Sequence, residues 1–129
     1  MTEALVSVEP AKLNVLEVLA SGNPNASTDG YGQGYTSPEA SRNLQRVDID
    51  AVTGMITVTT TANAGGGTLT LMPYTGTALP GTPLPPGKGV FTPPEQPAKW
   101  RCAAQGTTNL ATGQQAGSLA ARFAPAECK

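Results

Sequence analysis

Residues 47–73 read VDIDAVTGMITVTTTANAGGGTLTLMP, and this stretch decides the fold. Val47, Ile49 and Ala51 alternate with Asp48 and Asp50, the period of two that sends successive side chains to opposite faces of a strand. Val52-Thr53-Gly54 reads as a turn, because Gly54 accepts a positive φ. Ile56 and Val58 then alternate with Thr57 and Thr59, β-branched residues that suit a pleated, half-buried surface. Residues 62–67 end in consecutive glycines and form the next turn. Residues 68–72 supply a third strand with Leu69 and Leu71 inward, and Pro73 is expected to stop it. With the change of period placed at residue 44, the result is an antiparallel meander, apolar on one face and carrying Thr or Asp on the other.

Such a face needs a cover, and only residues 2–21 can provide one of sufficient length. Leu5, Val8, Val15, Leu16 and Leu19, broadened by Ala4, Ala11 and Val18, form a helical stripe. Glu3, Glu9, Lys12, Asn14 and Glu17 occupy much of the remainder. Pro10 allows two readings: a helix capped by Ser7 with Pro10 in its first turn, or a longer helix bent at Pro10. Gly22 followed by Asn23-Pro24 ends it in either case.

Residues 22–42, GNPNASTDGYGQGYTSPEASR, form a long polar connection. Its large apolar side chains, Tyr31 and Tyr35, either anchor it on the domain or face a partner. Residues 73–97 are so dense in proline that regular structure is not expected, and they should lie extended over the surface. Residues 98–103, AKWRCA, resume an extended pattern with Trp100 and Cys102 on one face, and Trp100 should be mostly buried. Residues 104–122 are again small and polar.

The chain of 129 residues is expected to be one domain, and its chemistry is sparse. There is no histidine, which removes the commonest general base and metal ligand. Eight basic and nine acidic residues are scattered along the chain, so no cationic stripe marks a nucleic-acid surface. Asp48 and Asp50 share a strand face, which reads as a solvated face rather than an acid–base pair. The loop DGYGQG at 29–34 lacks both calcium-ligand spacing and the strand and helix of a phosphate loop. Catalytic residues, metal ligands and cofactors are therefore all read as none. Cys102 and Cys128 are either free buried thiols of a cytosolic protein or a structural disulfide of an exported one. Small residues, Pro- and Thr-rich surface and few charges favour export. No signal peptide and no apolar run of roughly 18 residues is visible, so the chain is expected to begin downstream of a targeting segment.

The order of these parts resembles type IVa pilins along essentially the whole chain. The resemblance is carried by TEALVSVEPAKLNVLE at 2–17, YGQGYTSPEASRN at 31–43, VDIDAVTGMITVTT at 47–60, GGGTLTLMP at 65–73, WRC at 100–102 and FAPAECK at 123–129. It implies an α+β fold: an N-terminal amphipathic helix on a four-stranded antiparallel sheet spanning 44–103, with strand four at 98–103. A C-terminal loop at 102–128 would be bounded by a Cys102–Cys128 disulfide. The connection at 22–42 and this loop would flank opposite sheet edges, where subunits of the family meet neighbours. Under the resemblance Pro10 is a bend in a continuous helix of about 30 Å. The Pro-rich insertion at 73–97 departs from the family pattern in its length.

The function implied is that of a structural, non-enzymatic subunit of a type IV pilus, serving adhesion, twitching motility or DNA uptake. Partners would be other pilin subunits, joined through an apolar helix half that precedes this sequence, the assembly machinery in the membrane, and host or surface receptors. The protein would be anchored in the inner membrane before assembly and extracellular in the filament. Tyr31, Tyr35, Trp100, Phe123 and Lys129 are the candidate contact residues. Rival readings are a minor pilin specialised for DNA or receptor binding, a type II secretion pseudopilin, and an unrelated exported module. Arg42, Arg46, Lys99, Arg101, Arg122 and Lys129 are too dispersed for DNA capture, and the calcium site of the major pseudopilins is not found. Because 104–127 offer few apolar side chains, chiefly Leu110, Leu119 and Phe123, breaking the disulfide is expected to free that whole segment. The bond itself would contribute about 3.5 kcal/mol in the chain-entropy picture.

Overall fold

The computed structural model describes residues 8–22, 30–33, 35–36, 42, 44–76, 81–85, 87, 89–94, 98–107, 110–111, 114–120, 122 and 128. Helix α1 spans Glu9–Ser21, with Pro10 in its first turn, where the missing N–H leaves no intrahelical bond unmade. Gly22 takes φ 75°, and its N–H closes on the Val18 carbonyl at 3.0 Å, a left-handed C-terminal cap. Val8, Ala11, Val15, Val18 and Leu19 are buried, a single stripe at helical spacing. Residues 1–7, on which the longer bent helix depends, lie outside the described residues.

The sheet is antiparallel throughout: β1 (Leu44–Ile49), β2 (Ile56–Thr60), β3 (Thr68–Thr75), β4 (Thr82–Pro83) and β5 (Lys99–Ala103). β1 ends two residues before Ala51, because Asp50 turns the chain. Its Oδ1 accepts from the N–H groups of Val52 at 2.9 Å and Thr53 at 3.0 Å. Pro73 does not stop the third strand, which runs through it to Thr75. Both β2 and β5 pair with Thr70 and Leu71, so they lie on opposite flanks of β3. Both β4 and β5 pair with Tyr74, so β4 shares the β2 flank. Pro73 falls in the gap between the last partner of β2, Leu71, and the first partner of β4, Tyr74. A proline survives in a strand at such a break in the ladder.

The Pro-rich insertion likewise holds more order than its composition announces. Besides β4, it contributes Leu84, only 5% exposed, to the core. Two apolar clusters make up that core. The first joins Val8 and Ala11 of the helix to Leu44, Val47, Ile56, Val58, Leu69 and Leu71 of the sheet, together with Leu119 and both cysteines. The second joins Val15, Val18 and Leu19 to Tyr31 and Leu84. Half of the helix thus covers the sheet, and the other half is covered by loops. Ile49 and Trp100 touch both clusters. This is the expected α+β arrangement, helix on antiparallel sheet, with one more short strand than foreseen.

Candidate functional site

The two edges of the sheet carry the segments singled out above. Along β3 and β5 lies the C-terminal segment. Cys102 and Cys128, 26 positions apart, are joined in a disulfide with their Cα atoms 4.6 Å apart, and both are buried. The bond is not the only tie at this end. The Cys128 carbonyl accepts from the Ala104 N–H at 3.0 Å and from the Thr107 hydroxyl at 2.6 Å. Residues 104–107 form a turn closed by the Thr107 N–H on the Ala104 carbonyl.

A second, separate set of ties holds the middle of the segment. The buried Gln114 amide donates to the Arg101 carbonyl at 2.8 Å and to the Thr70 hydroxyl at 3.2 Å. Its Oε1 accepts from the Ala111 N–H at 3.0 Å, and the Thr70 hydroxyl donates to the Gln115 carbonyl at 2.6 Å. Ser118 and Thr68 exchange bonds, each backbone N–H donating to the other's hydroxyl. Leu119, fully buried, donates its N–H to the Thr68 carbonyl and accepts from that of Gln105, both at 2.9 Å. It thereby extends the ladder where β5 has ended. Gly117 permits this approach, since a Cβ there would collide with the Thr68 carbonyl.

At the other edge, beyond β1, sits the turn Gly30–Gly32. Tyr31 is fully buried, and its hydroxyl donates to the Pro85 carbonyl at 2.6 Å. Its ring lies tilted on Phe91 with centroids 5.6 Å apart. Burial pushes the Tyr31 phenol far above its ordinary pKa. The Asn14 amide, on α1, donates to the carbonyls of Tyr31 at 3.0 Å and Gln33 at 3.1 Å. The Pro-rich strap closes over this turn: Gly87 donates to the Val52 carbonyl, and Phe91 to that of Gly22. A Cβ on Gly87 would strike the Ala51 carbonyl and the Tyr31 ring.

The candidate contact residues therefore take different places. Tyr31 is an interior anchor, with no surface left for a neighbour. Tyr35 is partly buried against the first cluster; its hydroxyl has no hydrogen-bond partner among the described residues. Burial raises its pKa, and the negative charge of Asp48 adds to the rise. Trp100, expected to be mostly buried, is only partly buried and packs against both clusters. Phe123 and Lys129 lie outside the described residues. Among the described residues, the exposed large apolar side chains are Leu13, Val52 and Val90.

Asn14 and Gln114 are the tie residues that sequence reading passed over. Each is an uncharged polar side chain with no motif around it, and only the contacts reveal its role. Among the described residues, no three His, Cys, Asp or Glu side chains gather as a metal site, and no helix is long and apolar enough to cross a membrane. Asp48 is exposed and bonded to Arg46 at 3.0 Å, while Asp50 caps its turn, so the two carboxylates have separate structural tasks.

Two loop segments, one along each edge, are thus locked to a helix-backed sheet. No curated protein and no solved structure matches the chain. The sequence profile of the family Pilin, described as bacterial filament, matches residues 1–129. With that match over the full length and the helix, sheet and disulfide in place, the chain belongs to the pilin family of bacterial filament subunits.

Proposed function

We propose that this chain is the head of a type IV pilus subunit, which coats a fibre assembled through an apolar helical segment preceding it. The single observation that carries the reading is the pilin match over residues 1–129. Physically, α1 backs the sheet of the head. Its buried stripe commits one face to the sheet, and Leu13, 59% exposed between Glu9 and Glu17, remains on the other. The two loop edges are the surfaces through which neighbouring copies meet. Different patches meeting head to tail generate an open helical filament rather than a closed ring. The fibre would stand outside the cell in adhesion, twitching motility or DNA uptake, its subunits anchored in the inner membrane before assembly.

The test is complementation. Residues 2–129, fused behind the apolar helix half of a host pilin, are expressed in a piliated bacterium lacking its own major pilin. Surface fibres that label with antibody to this head are expected. Absence of fibres, with the fusion stable in the membrane at the host pilin's level, would sink the proposal.

A further inference from the structure

The C-terminal segment is held at two places, joined to each other by one backbone bond from the Gln105 N–H to the Leu119 carbonyl. At its ends, the disulfide brings the Cys128 carbonyl to Ala104 and Thr107. In its middle, Gln114, Gln115, Ser118 and Leu119 are tied to Thr68, Thr70 and Arg101, all on β3 or β5. None of these middle ties involves Cys128 or a residue bonded to it. We propose that the segment is a redox-divided element: the stapled end depends on the disulfide, whereas the middle stays docked on the sheet when the bond is cut. The surface offered by Gln115, Ala116 and Ser118, all exposed, then persists in either redox state.

The physical ground is the kind of contact in the middle. Gln114 is 8% exposed and uses both ends of its amide, so undocking would break its bonds to Ala111, Arg101 and Thr70 together. Leu119 is fully buried in the first core cluster, so undocking also opens a cavity there. Gly67 and Gly117 let the backbones meet so closely that a Cβ on either would overlap the opposite chain. Against the expectation that cutting the disulfide frees the whole of 104–127, these ties give the middle restraints of its own. The restraint in the middle is largely polar, which composition does not display.

Amide hydrogen exchange tests the division, comparing the parent with the Cys102→Ala/Cys128→Ala variant. Rates are normalised to Thr60, whose N–H bonds Gly67 in the β2–β3 hairpin, so that a general loss of stability cancels. The Ala104 amide should exchange roughly tenfold faster in the variant, while those of Gln114 and Leu119 change by less than about threefold. A tenfold rise at Leu119 and Gln114 as well would overturn the proposal.

Should the variant fail to fold, the parent treated with excess dithiol gives the same comparison. The dithiol passes two electrons to the cystine, leaves two thiols and closes its own disulfide. Gln114→Ala with the disulfide intact supplies the converse: Ala111, whose N–H bonds Gln114, should exchange faster while Ala104 stays protected. Equal acceleration at both positions would show one cooperative unit and refute the division.

Discussion

At the scale of single residues, the decisive side chains are those whose polar ends found partners inside. Tyr31 looks in the sequence like an aromatic amid glycines, able to face inward or outward. Its ring fills the second cluster while its hydroxyl reaches Pro85, fifty-four positions along the chain. Tyr31→Phe should therefore lower stability by about 1 kcal/mol, measured by denaturant unfolding with an unchanged slope. The phenol also sets a pH signature. Both tyrosines are raised in the folded state, so above about pH 10 the unfolded chain loses protons that the folded chain keeps. Fewer protons on the unfolded state mean that stability falls as pH rises. A pH series of urea melts should show that decline starting near pH 10, and Tyr31→Phe should flatten part of it. Unchanged alkaline behaviour in the variant would deny Tyr31 this role.

Elements tell a different story, because periodicity exposed most of them and local rules misjudged their ends. The alternation of Val47 and Ile49, Ile56 and Val58, Leu69 and Leu71 was readable as strands, since one buried face forces a period of two. Pro73 misled because the propensity rule assumes a complete ladder on both flanks, and here one flank is interrupted. Thr82–Pro83 was invisible because two residues carry no period at all. In α1 the stripe was correct, yet Leu16 is only partly buried and Leu13 is exposed. The two sides of the helix should accordingly respond unequally. Val15→Ala should cost about 2 kcal/mol, while Leu13→Ala should stay within about 0.5 kcal/mol. Equal losses in thermal unfolding would mean that the second cluster does not hold the helix.

For the whole molecule, the legible part was the order of elements, and the hidden part was how the loops are fastened. Gln114, Asn14 and Ser118 hold two long loops to the sheet and helix, and nothing in their neighbours' identities marks them. Pairings across 13 to 50 positions are settled by topology, which a single sequence does not show. The division of the core follows from the same topology. One cluster is helix on sheet and the other is helix on loops, with Ile49 and Trp100 common to both.

That shared position has a spectroscopic consequence. Trp100 is the only tryptophan in the chain, so its emission is a built-in reporter at the seam between the clusters. If the helix–loop cluster opens first on heating, its fluorescence should shift in an early step while the far-ultraviolet signal of the sheet is still intact. Loss of both signals at one temperature would instead mean that the seam transmits unfolding from either side at once.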